Sequence, residues 1–205
     1  SDTLAMEVSS HALDLARVDA VGFTAAGFTM LGQDHLEYHH TMDAYFAAKA
    51  KLFTEGRTRH AVVNTADPWG ARLAAAVRDD GRATLTTTQA SGADYRAETA
   101  SPRPDGGWEV RLAHPGGTTR FGLSMLGVFN VANAVTALAM VGAAGLDVDA
   151  AAAGLAAAHV PGRMQRVDLG PGRPHVVVDF AHTPQAVASA LGALPRTGRR
   201  IAVLG

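Results

Sequence analysis

Two stretches of this chain place acids and imidazoles where they could do chemistry. Glu7 lies inside the apolar run Leu4-Ala5-Met6-Glu7-Val8, and Asp34-His35-Leu36-Glu37-Tyr38-His39-His40 follows a second apolar run. An ionised carboxylate within an apolar strand is costly unless it is paired or bound to a cation. Glu7 and His35 together offer an oxygen and a nitrogen ligand to a divalent ion. By spacing alone the commoner reading is a plainer one: His35, His39 and His40 as loop histidines, with Asp34 capping a turn. Lys49 adds a third element. Counted from Met42, it falls between the Phe46 and Leu52 turns on the face carrying Met42, Tyr45, Phe46, Leu52 and Phe53, whereas Lys51 is rotated about 200° away toward solvent. Burial favours a neutral amine, lowering its pKa from about 10.4. A neutral amine adds CO₂ to form a carbamate, converting a cation into an oxygen ligand for Mg²⁺. The alternative is an edge lysine that snorkels to water.

Other polar islands suit a nucleotide. Asn130 and Asn133 share one helix face, and each amide offers a donor and an acceptor to an adenine edge; capping or surface amides are the plainer use. Arg163, after Pro161 and Gly162, could reach phosphates or make a linker salt bridge. Asp179 ends Val176-Val177-Val178, where a carboxylate at the carboxyl edge of a strand can accept from ribose hydroxyls.

These residues need elements to hold them. Leu4 to Val8 reads as a strand, followed by a helix capped by Ser9 or Ser10 and running to about Arg17. Phe23 to Leu31 is a second strand, and Thr41 caps the helix bearing Lys49. Ala61 to Asn64, a helix from Asp67-Pro68 to about Arg78, and a strand from Ala83 to Thr87 continue the alternation. Such an order predicts an α/β fold with a mostly parallel sheet flanked by helices. Tyr95 to Thr99, Trp108 to Ala113 and Thr118 to Leu123, separated by Gly/Pro turns, predict a small antiparallel patch. Helices are expected at Asn130 to Ala144 and Val148 to His159. A strand at His175 to Phe180, a helix at Pro184 to Leu194 and a strand at Arg200 to Leu204 then begin a Rossmann-like C-terminal domain. The expected division is 1–161 and 162–205. Both ends read as cut, so the chain is expected to be an excerpt of a longer protein.

Composition narrows the functions. The 205 residues carry 18 Lys plus Arg against 19 Asp plus Glu, a formal charge of −1, so no overall field attracts nucleic acid or an anionic membrane. With no Cys, disulfides, thiolate metal sites and a Cys nucleophile are excluded together, which suits a reducing cytoplasm. Charges interrupt every apolar stretch long enough to span a bilayer, so no transmembrane helix is expected, nor is a signal peptide read in the opening residues.

Taken together, Met6-Glu7-Val8-Ser9-Ser10-His11, Asp34 to His39, Ala47-Ala48-Lys49, Phe129 to Asn133, Gly162-Arg163-Met164 and Asp179 to Pro184 resemble the Mur ligases over nearly the whole chain. Their order is most similar to the branch that adds the third residue of the stem peptide. The resemblance implies a cytoplasmic, ATP-dependent ligase that joins diaminopimelate or lysine to UDP-MurNAc-L-Ala-D-Glu through an acyl phosphate. Such an enzyme serves peptidoglycan synthesis and, through it, cell shape and division. It implies that Glu7, His35 and carboxylated Lys49 hold Mg²⁺, and that Ser9 and Arg17 contact the UDP-muramoyl dipeptide, with Ser10 and His11 shaping that edge. Asn130 and Asn133 would lie by the adenine, and Arg163 and Asp179 by phosphate and ribose. The implied partners are the dipeptide, an amino-acid acceptor and ATP, with no nucleic acid and no membrane.

Departures from the family pattern are Met30 and Gly32 before Asp34-His35, and Leu15 where many members carry a substrate-contacting Gln. No G-x-x-x-x-G-K-[ST] loop occurs, so these 205 residues alone are expected to be inactive. Within the same superfamily a folylpolyglutamate synthase-like enzyme or another Mur ligase shares these features. From other classes, a metal-dependent hydrolase using Asp34 or Glu37, or a non-catalytic nucleotide-binding module, remains open.

Overall fold

The structure, a computed structural model, describes residues 3–194 and 198–204. Its centre is a parallel sheet in the order β1 (Phe23–Phe28), β2 (Thr58–Asn64), β3 (Thr84–Thr88). Val62 of β2 sits between Gly27 and Thr86 in register. Parallel neighbours require crossovers, and helices supply them: α2 (Leu36–His39) and α3 (Met42–Thr54) between β1 and β2, and α4 (Pro68–Asp80) between β2 and β3. Thr41 caps α3 by accepting from the Ala44 N–H at 3.1 Å, and Asp67 caps α4 by accepting from Gly70 at 3.0 Å.

The side-chain period of a strand sends alternate residues of β2 to opposite cores. Ala61 and Val63 face a cluster built from α3, α4 and α1 (Ser10–Asp14), while Val62 faces a second cluster on the other side. That second core is filled by α5 (Val128–Ala143), which lies between the parallel sheet and an antiparallel sheet of β4 (Arg96–Pro102), β5 (Trp108–His114) and β6 (Gly117–Leu123). Apolar neighbours on both sides explain why α5 is apolar almost all round. Gly27 lets it approach β1, since a Cβ there would lie 2.5 Å from Met140 Sδ. Past α6 (Val148–Gly154), β7 (Gln165–Val167) and β8 (Val176–Val178) form a separate two-stranded antiparallel sheet, followed by α7 (Pro184–Ala193).

The expected α/β class and antiparallel patch hold, but several elements differ. Leu4 to Val8 joins no ladder: β1 pairs only with β2, and a segment without a hydrogen-bonded neighbour is not a strand. Glu7 is therefore exposed rather than embedded in an apolar strand. The helix expected to reach Arg17 ends at Asp14, because Ala16 turns left-handed at φ 55°. The strand expected to reach Leu31 stops at Phe28 with the β2 ladder. The helix expected at Val148 to His159 tightens into a 3₁₀ turn at Leu155–Ala157. His175 to Phe180 shortens to β8, paired antiparallel with β7, and Arg200 to Leu204 pairs with no strand among the described residues, leaving Ile201, Val203 and Leu204 exposed.

Candidate active site

The residues singled out around Glu7, His35 and Lys49 gather beside α1, α2 and α3. Ser9 caps α1, its Oγ accepting from the Ala12 N–H at 3.1 Å, which leaves its hydroxyl proton for another partner. Ser10 points inward, almost wholly buried, and its Oγ lies 2.9 Å from His39 Nε2. Asp14, at the end of α1, accepts from Lys51 Nζ at 2.8 Å and from Tyr38 Oη at 2.9 Å. The Lys51 hydrogen bond, with that of Tyr38, holds the Asp14 carboxyl below the usual carboxylate range. Lys51 is thus a tie from α3 to α1 rather than a purely solvent-facing charge. Arg17 is exposed beyond α1, near enough to Tyr38 to act on it electrostatically.

His35 precedes α2 in the left-handed region, φ 54° and ψ 23°, an uncommon conformation for a residue with a Cβ. Its N–H donates to Asp34 Oδ1 at 2.8 Å, which holds that turn. Its ring lies 3.7 Å from Asp34 Oδ2 and 4.0 Å from Glu37 Oε1, and stands edge-on to His11 at 4.9 Å and to Tyr45 at 5.8 Å between centroids. His11 also contacts Tyr38 at 4.2 Å.

Lys49 is half-buried, with Nζ 5.3 Å from the centroid of the Tyr45 ring. Burial pushes its amine below the ordinary lysine value, while the negative charges of Glu7 and Asp34 pull it back up. One amine therefore feels both carboxylates that the sequence placed in separate motifs. Among the described residues, no three His, Asp or Glu side chains converge as a metal site. Glu7 and His35 are an anionic oxygen and an imidazole; a carbamate on Lys49 would contribute a second anionic oxygen and would remove a repelling cation. On that donor chemistry the residues fit Mg²⁺.

The nucleotide candidates fall into two groups. Asn130 is buried, its Nδ2 donating to the Leu126 carbonyl at 2.7 Å and its Oδ1 accepting from Asn133 Nδ2 at 3.1 Å. Asn133 is exposed. Arg163 stacks its guanidinium over Phe180, 4.8 Å from the ring centroid. Asp179 accepts from the Met164 N–H at 2.8 Å and the Ala181 N–H at 2.9 Å, so it ties the segment after β8 to the residue following Arg163. The segment carrying Asp179 meets the Asp34–His35 cluster through His182, whose Nε2 is 3.5 Å from Asp34 Oδ2. Gly32 faces α7, where a Cβ would lie 3.1 Å from Gln185 Oε1; Met30 and Leu15 are exposed.

Sequence reasoning missed the uses of His39, Tyr45, Phe180 and His182. Tyr45 was one member of an apolar stripe and His39 one of three loop histidines. The available signal was spacing: His39 is one turn from His35, and Tyr45 one turn from Lys49.

Residues 1–141 match the Mur ligase middle domain. The chain is 44% identical over 212 residues to the UDP-N-acetylmuramoyl-L-alanyl-D-glutamate--2,6-diaminopimelate ligase of Streptomyces coelicolor, covering 100% of this chain and 41% of that protein. A solved structure of a UDP-N-acetylmuramoyl-L-alanyl-D-glutamate--2,6-diaminopimelate ligase superposes with TM-score 0.77 at 30% identity, over 91% of this chain and 38% of the other. MurF ligase from Thermotoga maritima in complex with ADP shares the fold, with TM-score 0.70 at 20% identity over 87% of this chain and 41% of that one. The chain thus spans about two-fifths of the curated relatives it matches.

Proposed function

The chain belongs to the Mur ligase family, and from that premise we propose that it is the metal- and nucleotide-handling part of a longer, cytoplasmic, ATP-dependent ligase. That ligase adds diaminopimelate to UDP-MurNAc-L-Ala-D-Glu. Diaminopimelate is preferred to lysine because the relative at 44% identity is a diaminopimelate ligase. We assign residues 1–161 to the ATP-binding domain and 162–205 to the start of the C-terminal domain. The separate β7–β8 sheet supports that division.

The observation that carries the assignment is the half-buried Lys49 amine, lowered in pKa by burial and facing the charges of Glu7 and Asp34. In its neutral form the nitrogen attacks the carbon of CO₂, a C–N bond forms, and one proton leaves to water, giving an anionic carbamate. Glu7, His35 and this carbamate would hold Mg²⁺, whose charge offsets the repulsion between ATP and a carboxylate substrate. Ser9, with its hydroxyl proton uncommitted to the cap, and Arg17 bind the UDP-muramoyl dipeptide, and Ser10 and His11 shape the edge beside it. Asn133 reads the adenine edge while Asn130 holds its amide in place. Arg163 takes phosphate oxygens, and Asp179 orders the Arg163-Met164 turn near the ribose.

With the two substrates so held, the dipeptide carboxylate attacks the γ-phosphorus and ADP departs. The amine of diaminopimelate then displaces phosphate from the acyl carbon, forming the amide and releasing a proton. Incubating the full-length protein with ATP, Mg²⁺, the UDP-muramoyl dipeptide and diaminopimelate, lysine or folate tests this. ADP release that requires both dipeptide and diaminopimelate is expected. Phosphate release without any amino acid would turn the assignment to a hydrolase, and activity with folate to a folylpolyglutamate synthase.

A further inference from the structure

On the ligase assignment above, we propose that His39 is a positioning residue: one imidazole, bonded to Ser10 and stacked on Tyr45, sets the mutual placement of the segments carrying Glu7, His35 and Lys49. Three contacts support it. Ser10 Oγ lies 2.9 Å from His39 Nε2, and both side chains are buried, at 1% and 7% exposure. Ser10 follows Glu7 by less than one helical turn of sequence, so this bond anchors the Glu7 segment. The backbone N–H of His39 donates to the His35 carbonyl at 2.9 Å, which ties the chain segment carrying this ring to the left-handed turn at His35. The His39 ring stacks on Tyr45 at 5.1 Å and 19°, and the other end of that contact is the Lys49 amine, 5.3 Å from the same Tyr45 ring.

The segments need such an anchor. α1 spans 5 residues and α2 spans 4. Helices this short do not persist without tertiary support. Glu7 itself lies in exposed chain outside any ladder. A buried hydrogen bond between side chains far apart in sequence, joined to a ring stack, supplies that support. Residues that orient metal ligands from behind change metal affinity or activity by about 10- to 100-fold when altered.

The test uses the full-length protein with His39→Phe, which keeps a ring on Tyr45 and loses the Ser10 bond. Its companions are His39→Gln, which keeps a hydrogen-bonding group, Ser10→Ala, and the double variant S10A/H39F. Two quantities are read: binding of Mn²⁺ to the nucleotide-free protein by electron paramagnetic resonance, and the half-saturating Mg²⁺ concentration for turnover. His39→Phe and Ser10→Ala are each expected to weaken Mn²⁺ binding about tenfold, with His39→Gln milder and the double variant no worse than either single. A merely structural histidine would lower the fraction of folded protein and leave both quantities unchanged in what remains; that result overturns the proposal, as would additive effects or a wild-type protein that binds no Mn²⁺. If His39→Phe does not fold, Ser10→Ala and His39→Gln decide by the same criteria. Wild-type protein that binds Mn²⁺ through an intact His39 but ligates no dipeptide would sink the ligase assignment and leave this one standing.

Discussion

The Lys49 amine and the Tyr45 ring face each other on α3, with Nζ 5.3 Å from the ring centroid. The ring attracts the ammonium form of the lysine without carrying a charge of its own. Tyr45 is buried, and burial pushes its phenol up to about 12, so it stays protonated and competes neither as base nor as anion. The two carboxylates nearby, Glu7 and Asp34, act on the amine through space.

Lys49→Met keeps the apolar stem and removes the nitrogen. In the full-length protein, turnover is expected to fall by about 10²- to 10³-fold, the size of effect seen when one preorganised charge is lost, with the KM for ATP little changed. Nuclear magnetic resonance of wild-type protein in ¹³C-bicarbonate is expected to show a carbamate signal that the variant lacks. An identical spectrum from both would remove Lys49 from the metal site.

The asparagine pair divides its labour. Asn130→Leu leaves the buried Leu126 carbonyl unpaired and is expected to destabilise the protein by about 1–3 kcal/mol. Asn133→Ala removes the donor to Asn130 Oδ1 from an exposed position, so it is expected to cost less stability than Asn130→Leu and to raise the KM for ATP. Thermal melts beside ATP kinetics check both; a reversal of the two phenotypes would contradict the assignment.

Phe180 is expected to hold the Arg163 guanidinium flat for phosphate. A cation–π contact at an exposed site contributes about 0.5–1 kcal/mol, so Phe180→Leu should raise the KM for ATP by about two- to fivefold. Arg163→Lys, which keeps the charge but loses the planar fork, should weaken ATP more than Phe180→Leu does. Unchanged ATP kinetics in both variants would separate this stack from the nucleotide site.

Burial pushes the His39 imidazole below its ordinary value of about 6.5. The unfolded chain therefore takes up a proton at higher pH than the folded one. The stabilisation is complete above about pH 6.5 and is lost as pH falls from there toward the folded value. Thermal unfolding of wild-type protein followed from pH 8 down to about pH 5.5 should show a steeper loss of stability than His39→Gln, in which this titration is gone. Parallel curves would mean that His39 titrates normally.

Much of the architecture was legible from residue pattern. The strand-helix alternation marked the parallel sheet, Gly/Pro turns marked the antiparallel patch, and Thr41 and Asp67 marked helix starts, because caps and turns are decided within a few residues of themselves. Leu4 to Val8 and Arg200 to Leu204 misled for a shared reason. Their composition favours extended chain, but a ladder needs a neighbour that the segment does not carry within itself. The lysine on the apolar face of α3 was legible too, since helical periodicity alone separates Lys49 from Lys51.

Neighbourhood was not legible. Nothing in the local order of residues pairs Ser10 with His39, Asp14 with Lys51, or Asp34 with His182. The side chains in each pair come from different elements, brought together only when the sheet, α1, α2 and α3 pack. Residue types and spacing were enough for the family and the class of fold, since those follow from short-range chemistry and pattern. Which groups act on one another was settled by the folded arrangement, because burial and charge–charge interaction depend on distance in space and not on distance along the chain.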